Sequence, residues 1–257
     1  MNRSRARSRR PSATVTLLGT GDAFSSYGRS QSAYVIDGGG TRVMLEAGSD
    51  AVASLKRNGF ATNSFDLILI SHLHGDHFAG LPFLILDYMW EAPLKKPLTI
   101  AGPRKLAERT WRLMRTMYPN FDLAAIRHQL NFVVLEPERS RQFGKVRVTA
   151  IRSPHTKPDI SLSLKIELAG RAIVFSGDTG WNEALAKLAH GADLFLCECT
   201  YFESAQLKFH LNYPQLAANR DKFDVRRMVL THLGREVLNR KREIAIKMGF
   251  DGMKIRL

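Results

Sequence analysis

Ser71-His72-Leu73-His74-Gly75-Asp76-His77 places three imidazoles and a carboxylate within six residues, directly after the apolar run Leu67-Ile68-Leu69-Ile70. Such a run reads as a short buried strand. A strand end followed by a glycine-containing turn can fold these side chains back around a point, whereas a regular helix or strand would spread them apart. Packed together without a cation, they would compete for few hydrogen-bond partners, so the segment reads as a metal site.

Three further residues share that placement. His155 comes after the strand ending at Ile151, Asp178 follows Ile173-Val174-Phe175, and His232 follows Met228-Val229-Leu230. Alone, each is an ordinary structural polar residue. Their common position just beyond an apolar strand groups them with the motif.

Apolar or alternating runs predict strands over 14–18, 33–36, 42–46, 67–70, 98–100, 132–135, 146–151, 161–167, 172–175, 194–197, 227–230 and 253–256. Helical spacing predicts helices over 50–57, 78–89, 104–117, 182–189, 213–221 and 235–247. Gly38-Gly39-Gly40 and Ala169-Gly170-Arg171 read as hairpin turns, so the sheets are partly antiparallel. No linker or repeat interrupts 13–257, and the expected architecture is one α+β domain of two packed sheets with helices outside. Phe83, Tyr88 and Trp90 are expected in the core, as are Cys197 and Cys199. The basic residues Arg104, Lys105, Arg109, Arg112 and Arg115 form either a phosphate-steering or a solvated helix face.

The chain has 257 residues, 44% hydrophobic and 24% charged, a balance that excludes wholesale disorder. Its formal net charge of +14 favours anionic partners such as nucleic acid, nucleotides or phosphate esters. Part of that excess lies in residues 1–12, which read as a disordered Arg-rich tail. The tail lacks the apolar stretch of a secretory signal, and no run is long enough to span a bilayer. Two cysteines cannot supply a disulfide framework. A cytoplasmic protein with no membrane partner is expected.

The pattern His72-x-His74-x-Asp76-His77, continued by His155, Asp178 and His232, resembles that of the metallo-β-lactamase superfamily over essentially the whole chain after residue 12. The resemblance implies a four-layer αββα sandwich with two divalent cations. His72, His74 and His155 would hold one, Asp76, His77 and His232 the other, and Asp178 would bridge them. Two such cations can activate a shared water near neutral pH. A donor set without thiolate suits zinc first, then manganese or iron. The aspartate at the bridging position and the histidine at position 74 separate the chain from true β-lactamases and from the flavodiiron pattern.

Cys197-Glu198-Cys199-Thr200-Tyr201 and Lys208-Phe209-His210-Leu211-Asn212 resemble the Glu-x-Thr segment and additional histidine of the ribonuclease Z branch and its cyclic phosphodiesterase relatives. This implies a catalytic His210 assisting the phosphate or leaving oxygen, Glu198 holding it, and Asp76 orienting or deprotonating water. It also implies a phosphodiester substrate (an RNA 3′ end, a small phosphodiester or a cyclic nucleotide) and a homodimer. Leu18-Gly19-Thr20-Gly21-Asp22 and Phe250-Asp251-Gly252-Met253 match the branch's opening and closing segments and read as architectural.

The chain also departs from the branch. Only 22 residues separate His155 from Asp178, too few for the long arm that grips transfer RNA, and Glu46 stands where an aspartate is more typical. A small diester or cyclic nucleotide is therefore expected at least as much as a transfer RNA precursor. Two alternatives stand beside this: a thioester, lactone or sulfate ester hydrolase on the same site, and a nucleic-acid-binding protein using the fold as scaffold.

Overall fold

The computed structural model describes residues 12–203 and 208–257. The expected tail therefore lies, except for Ser12, outside the described residues. The first half contains β1 (Ala13–Gly19), β2 (Ala33–Gly38), β3 (Thr41–Leu45), α1 (Ala51–Arg57), β4 (Leu67–Leu69), α2 (Gly75–Phe78), α3 (Leu81–Trp90), β5 (Leu98–Gly102), α4 (Leu106–Met117), α5 (Ala124–Arg127) and β6 (Leu130–Val134). The second contains β7 (Arg139–Phe143), β8 (Val146–Ser153), β9 (Ser161–Leu168), β10 (Arg171–Phe175), α6 (Glu183–Ala189), β11 (Leu194–Glu198), α7 (Tyr213–Ala218), β12 (Met228–Thr231), α8 (Arg235–Asn239) and β13 (Met253–Arg256).

Among the described residues the strands form two mixed sheets, ordered β13-β1-β2-β3-β4-β5-β6 and β12-β11-β10-β9-β8-β7. Strand alternation builds the layers. Val43 and Leu45 of β3 face the opposite sheet while Met44 faces the helices, and Ile173 and Phe175 of β10 face inward while Val174 faces outward. The inner core joins the sheets; two outer cores join them to helices carrying Leu84, Ile85 and Met114 on one side and Leu185, Leu216 and Val237 on the other. Each fully buried large apolar side chain contributes roughly 1.5–3 kcal/mol. This is the αββα sandwich that the resemblance implied. No helix among the described residues is long and apolar enough to cross a membrane.

Three local expectations are corrected. The helix expected over 235–247 stops at Asn239, because the chain returns to the sheet edge, where Lys247 O accepts from Leu230 N and Met248 pairs with Leu230. Phe83 and Trp90 are not core residues but 37% and 66% exposed, since the buried stripe of α3 runs through Leu81, Leu84, Ile85 and Tyr88. Strand β7 was not expected, because Arg139, Ser140, Arg141 and Gln142 are exposed on a sheet edge and show no apolar alternation.

Both chain ends of the fold are clamped by Asp251. Its carboxylate accepts from Thr20 N (3.0 Å), Thr20 Oγ1 (2.7 Å) and Ser30 N (2.7 Å), tying the turn before β13 to the end of β1. The approach at Gly19 is closer still: an added Cβ would meet Gln31 O at 1.8 Å. These matching segments are architectural.

Candidate metal centre

Strands β4, β8, β10 and β12 each release a segment at the same pole of the sandwich, and the seven expected residues converge there. His72, His74, His155 and Asp178 offer ligand atoms within 4.8 Å of one another, as do Asp76, His77, Asp178 and His232. Asp178 belongs to both groups. His155 Nε2 lies 3.1 Å from His74 Nδ1 and 3.7 Å from Asp178 Oδ2. Asp76 Oδ2 lies 3.2 Å from Nε2 of both His77 and His232.

Turns place these groups. His232 (φ 51°) occupies the left-handed region just past β12, and so does Glu46 (φ 62°) just past β3. Gly177 is also left-handed (φ 57°), and a Cβ there would meet Leu162 O at 2.6 Å, so the turn carrying Asp178 requires glycine.

The donors fit divalent cations. His72 Nε2, His77 Nε2 and Asp178 Oδ1 are buried and lack a hydrogen-bond partner among the described residues. Leaving such atoms unmet costs about 1–3 kcal/mol each, which a shared cation removes. Burial, reinforced by neighbouring imidazoles, holds His72 well below the ordinary imidazole range and also lowers His74 and His155. Burial opposes charge on Asp178 too, but His232, His77 and His72 outweigh it and keep the carboxylate ionised. His72, His74 and His155, neutral beside an ionised Asp178, are in the donor state a cation needs, whereas, against their burial, the Asp178 and Asp76 carboxylates raise His77 and His232, which would give up a proton as a cation binds.

Two hydroxyl–glutamate relays, one from each sheet, orient the rings. His77 Nδ1 donates to Glu46 Oε2 (2.8 Å), and His72 Nδ1 donates to Ser71 Oγ (3.0 Å), which donates to Glu46 (3.1 Å). On the other side His232 Nδ1 donates to Thr200 Oγ1 (2.9 Å), which donates to Glu198 Oε2 (2.7 Å). Each relay leaves an Nε2 directed at the cluster. Sequence reasoning gave no orienting role to Glu46, Ser71 or Thr200; Thr200 registered only as part of the Glu-x-Thr segment and Glu46 only as a departure from pattern, and the role of Glu46 depends on contacts 25 and 31 residues away.

His210 and Glu198 also meet as expected. His210 Nδ1 donates to Glu198 Oε1 at 3.0 Å, and its ring stacks on His232 at 5.6 Å. Burial disfavours the His210 cation, but Glu198 outweighs it and pushes the pKa up to about 9. Asp76 stays a carboxylate, because His77 and His232 outweigh its burial.

Cys197 and Cys199 are fully buried core residues. Four of the five basic residues around α4 face carboxylates: Arg104 pairs with Glu136 (3.1 Å), Lys105 with Asp159 (3.2 Å), Arg109 with Asp159 and Arg112 with Glu108 (2.7 Å), while Arg115 joins no ion pair among the described residues. That neutralisation supports the solvated face over phosphate steering.

A family model described as "Anti-Pycsar protein Apyc1" matches residues 13–252. A ribonuclease Z of Lachnoclostridium phytofermentans is 29% identical over 160 residues, 62% of this chain and 50% of that protein. The short form of human tRNase Z superposes with a TM-score of 0.75 at 27% identity, covering 94% of this chain and 98% of that one. The metallo-β-lactamase fold protein YhfI from Bacillus subtilis superposes equally well, with a TM-score of 0.75 at 17% identity over 95% of this chain and 99% of that one. The sandwich described above is thus the metallo-β-lactamase fold.

Proposed function

The chain belongs to the Anti-Pycsar protein Apyc1 family, and on that premise we propose that it is a metal-dependent phosphodiesterase acting on a small phosphodiester, a cyclic nucleotide before an RNA 3′ end. The observation that carries this reading is the pairing of two cation-competent groups sharing Asp178 with a cationic imidazole, His210, at their rim. The first cation is assigned to His72, His74, His155 and Asp178, the second to Asp76, His77, His232 and Asp178, with zinc as the first choice. Bound there, divalent cations would supply Lewis acidity and a nucleophilic water near neutral pH.

The chain's own groups supply the rest. His210, fixed through Nδ1, has Nε2 available to donate a proton to the departing oxygen, and a poor alkoxide leaving group needs that proton. Glu198 positions the ring and keeps it charged. Asp76, held ionised, orients water rather than storing its proton. A small diester is favoured over a folded RNA because β9 and β10 are joined by the two-residue turn Ala169-Gly170, which leaves no protruding arm in that interval.

We also propose a homodimer. Phe83, Trp90 and Phe121 are exposed beside one apolar cavity of about 620 Å³, and Trp90 meets Phe121 edge-on at 6.2 Å. Exposed aromatic patches of this kind mark interfaces.

The test is turnover by zinc- or manganese-loaded protein of bis-p-nitrophenyl phosphate, 2′,3′- and 3′,5′-cyclic nucleotides, a precursor transfer RNA, a thioester and a lactone. Hydrolysis of the small diesters is expected. Turnover of only the thioester or lactone would overturn the reading.

A further inference from the structure

Strand β13 ends one sheet and β12 ends the other, and a groove of about 1140 Å³ runs between these two edges. Met228, Val229 and Ile255 form its buried apolar floor. Met228 opens β12 at the end away from His232, and no residue of the cation-competent groups lines the groove. Its volume exceeds the roughly 300–1,000 Å³ usual for a small-molecule site, which favours a length of polymer.

The edge of β13 is open. Leu257 N donates to Ala13 O on the β1 side (2.9 Å), while Arg256 O, on the opposite side, accepts from Arg227 Nη1 (2.6 Å). Strand alternation therefore turns the N–H and C=O of Lys254 and the N–H of Arg256 out of the sheet, with no backbone partner among the described residues. The rim is basic. Six Lys and Arg side chains line the groove against two acids, Asp221 and Asp224. Arg226 pairs with Asp193 (3.0 Å) and Asp224 with His190 (3.2 Å), whereas Arg220, Lys247, Lys254 and Arg256 are exposed and join no ion pair among the described residues. Lys254 and Arg256 share one face of β13, and Ile255 turns to the inner core on the other.

An extended peptide uses all three features. Its backbone meets the open N–H and C=O groups, alternate carboxylates meet Lys254 and Arg256, and the apolar side chains between them extend the Ile255 row. No aromatic side chain among the described residues lines the groove to stack a base. A second copy of this chain would bring the same cations to the edge, which opposes self-pairing. Residues 1–11 and 204–207 contain no Asp or Glu to fill it. We propose that this groove docks an extended acidic segment of a partner protein, alternating Asp or Glu with Val, Ile or Leu, as an added strand on β13.

Fluorescence anisotropy with the full chain tests it. The probes are a labelled octapeptide alternating Glu and Val, its Lys–Val counterpart, and two Glu–Val peptides methylated on alternate backbone nitrogens in opposite phase. Wild type should bind the Glu–Val peptide at least about tenfold more tightly than the Lys–Val one. One methylation phase should abolish binding and the other preserve it, because an added strand turns one edge to β13. Lys254→Glu combined with Arg256→Glu breaks no ion pair, so the melting midpoint should hold while binding weakens at least about tenfold. Lys254→Pro removes an N–H that faces away from β1 and should weaken binding about tenfold; if that variant unfolds, the charge reversal and the methylated peptides decide. Equal binding of the Glu–Val and Lys–Val peptides, binding of neither, equal effects of the two methylation phases, or unchanged binding by the charge-reversed variant overturns the proposal. A uridine oligonucleotide bound more tightly than the Glu–Val peptide and lost in the same variant would make the groove a nucleic-acid site and overturn it as well. No turnover is measured, so the outcome is independent of the phosphodiesterase reading.

Discussion

Glu198 accepts the Nδ1 hydrogen of His210 at 3.0 Å, so the last residue of β11 both orients and charges the imidazole at the rim of the cation site. Because the pKa of His210 is pushed up to about 9, the acid form is present below that pH and lost above it. With an alkoxide leaving group kcat should therefore decline as pH rises through about 9. Glu198→Gln removes the carboxylate that raises the pKa, and the decline should begin at lower pH. His210→Ala should cost about 10²- to 10⁴-fold in kcat for a cyclic nucleotide and far less for a p-nitrophenyl ester, whose leaving group needs no proton. Equal losses on both substrates would remove His210 from the role of acid.

Glu46 should matter for cation affinity rather than for substrate. It receives His77 Nδ1 directly and His72 through Ser71 Oγ. Replacing such a partner of a ligand typically weakens metal binding 10- to 100-fold. Chelator competition with Glu46→Gln should show a loss in that range, with the KM of the fully loaded enzyme little changed.

Removal of divalent cations should lower stability. Without them His72 Nε2, His77 Nε2 and Asp178 Oδ1 are buried and unmet. A cation at 100 times its Kd adds about 2.7 kcal/mol, or roughly 5–10 °C in Tm for a chain of this size. Calorimetry before and after chelation should show that drop, and added zinc should reverse it. An unchanged Tm would contradict a structural contribution from the cluster.

Gly180→Ala should displace the loop that carries Phe209 and His210. The new Cβ would overlap Lys208 O at 2.0 Å, against backbone that cannot rotate away. Overpacking of this kind costs about 1–3 kcal/mol. A lowered denaturation midpoint together with a raised KM is expected; a normal KM would mean that the loop is not part of the binding surface.

The exposed face bearing Trp90 and Phe121 gives a separate expectation. Trp90→Glu should shift sedimentation from dimer to monomer while leaving the fold intact by circular dichroism. A wild-type monomer at micromolar concentration would refute the dimer.

Much of this molecule was readable along the chain because its expected cation donors are locally encoded. His72, His74, Asp76 and His77 sit in one turn, and His155, Asp178 and His232 each follow a strand whose alternation is visible, as in Ile173-Val174-Phe175. The errors fell where long-range contacts override local pattern. The apolar spacing after Arg235 suggested a long helix, yet pairing of Met248 with Leu230 pulls the chain to the sheet edge. Trp90 looked like a core residue because size and hydrophobicity do not say which side of α3 faces the sheet.

Residue order, through strand alternation and the resemblance that the motif carries, therefore anticipated the sandwich and named the expected cation donors, since alternation and polar side chains placed just past strand ends are short-range properties. Only the packed molecule settled how those donors are aimed. Glu46 reaches His77 from 31 residues away, and Thr200 reaches His232 from 32. Hydrogen-bond direction acts over about 3 Å, and only the packing of the two sheets brings such distant residues that close.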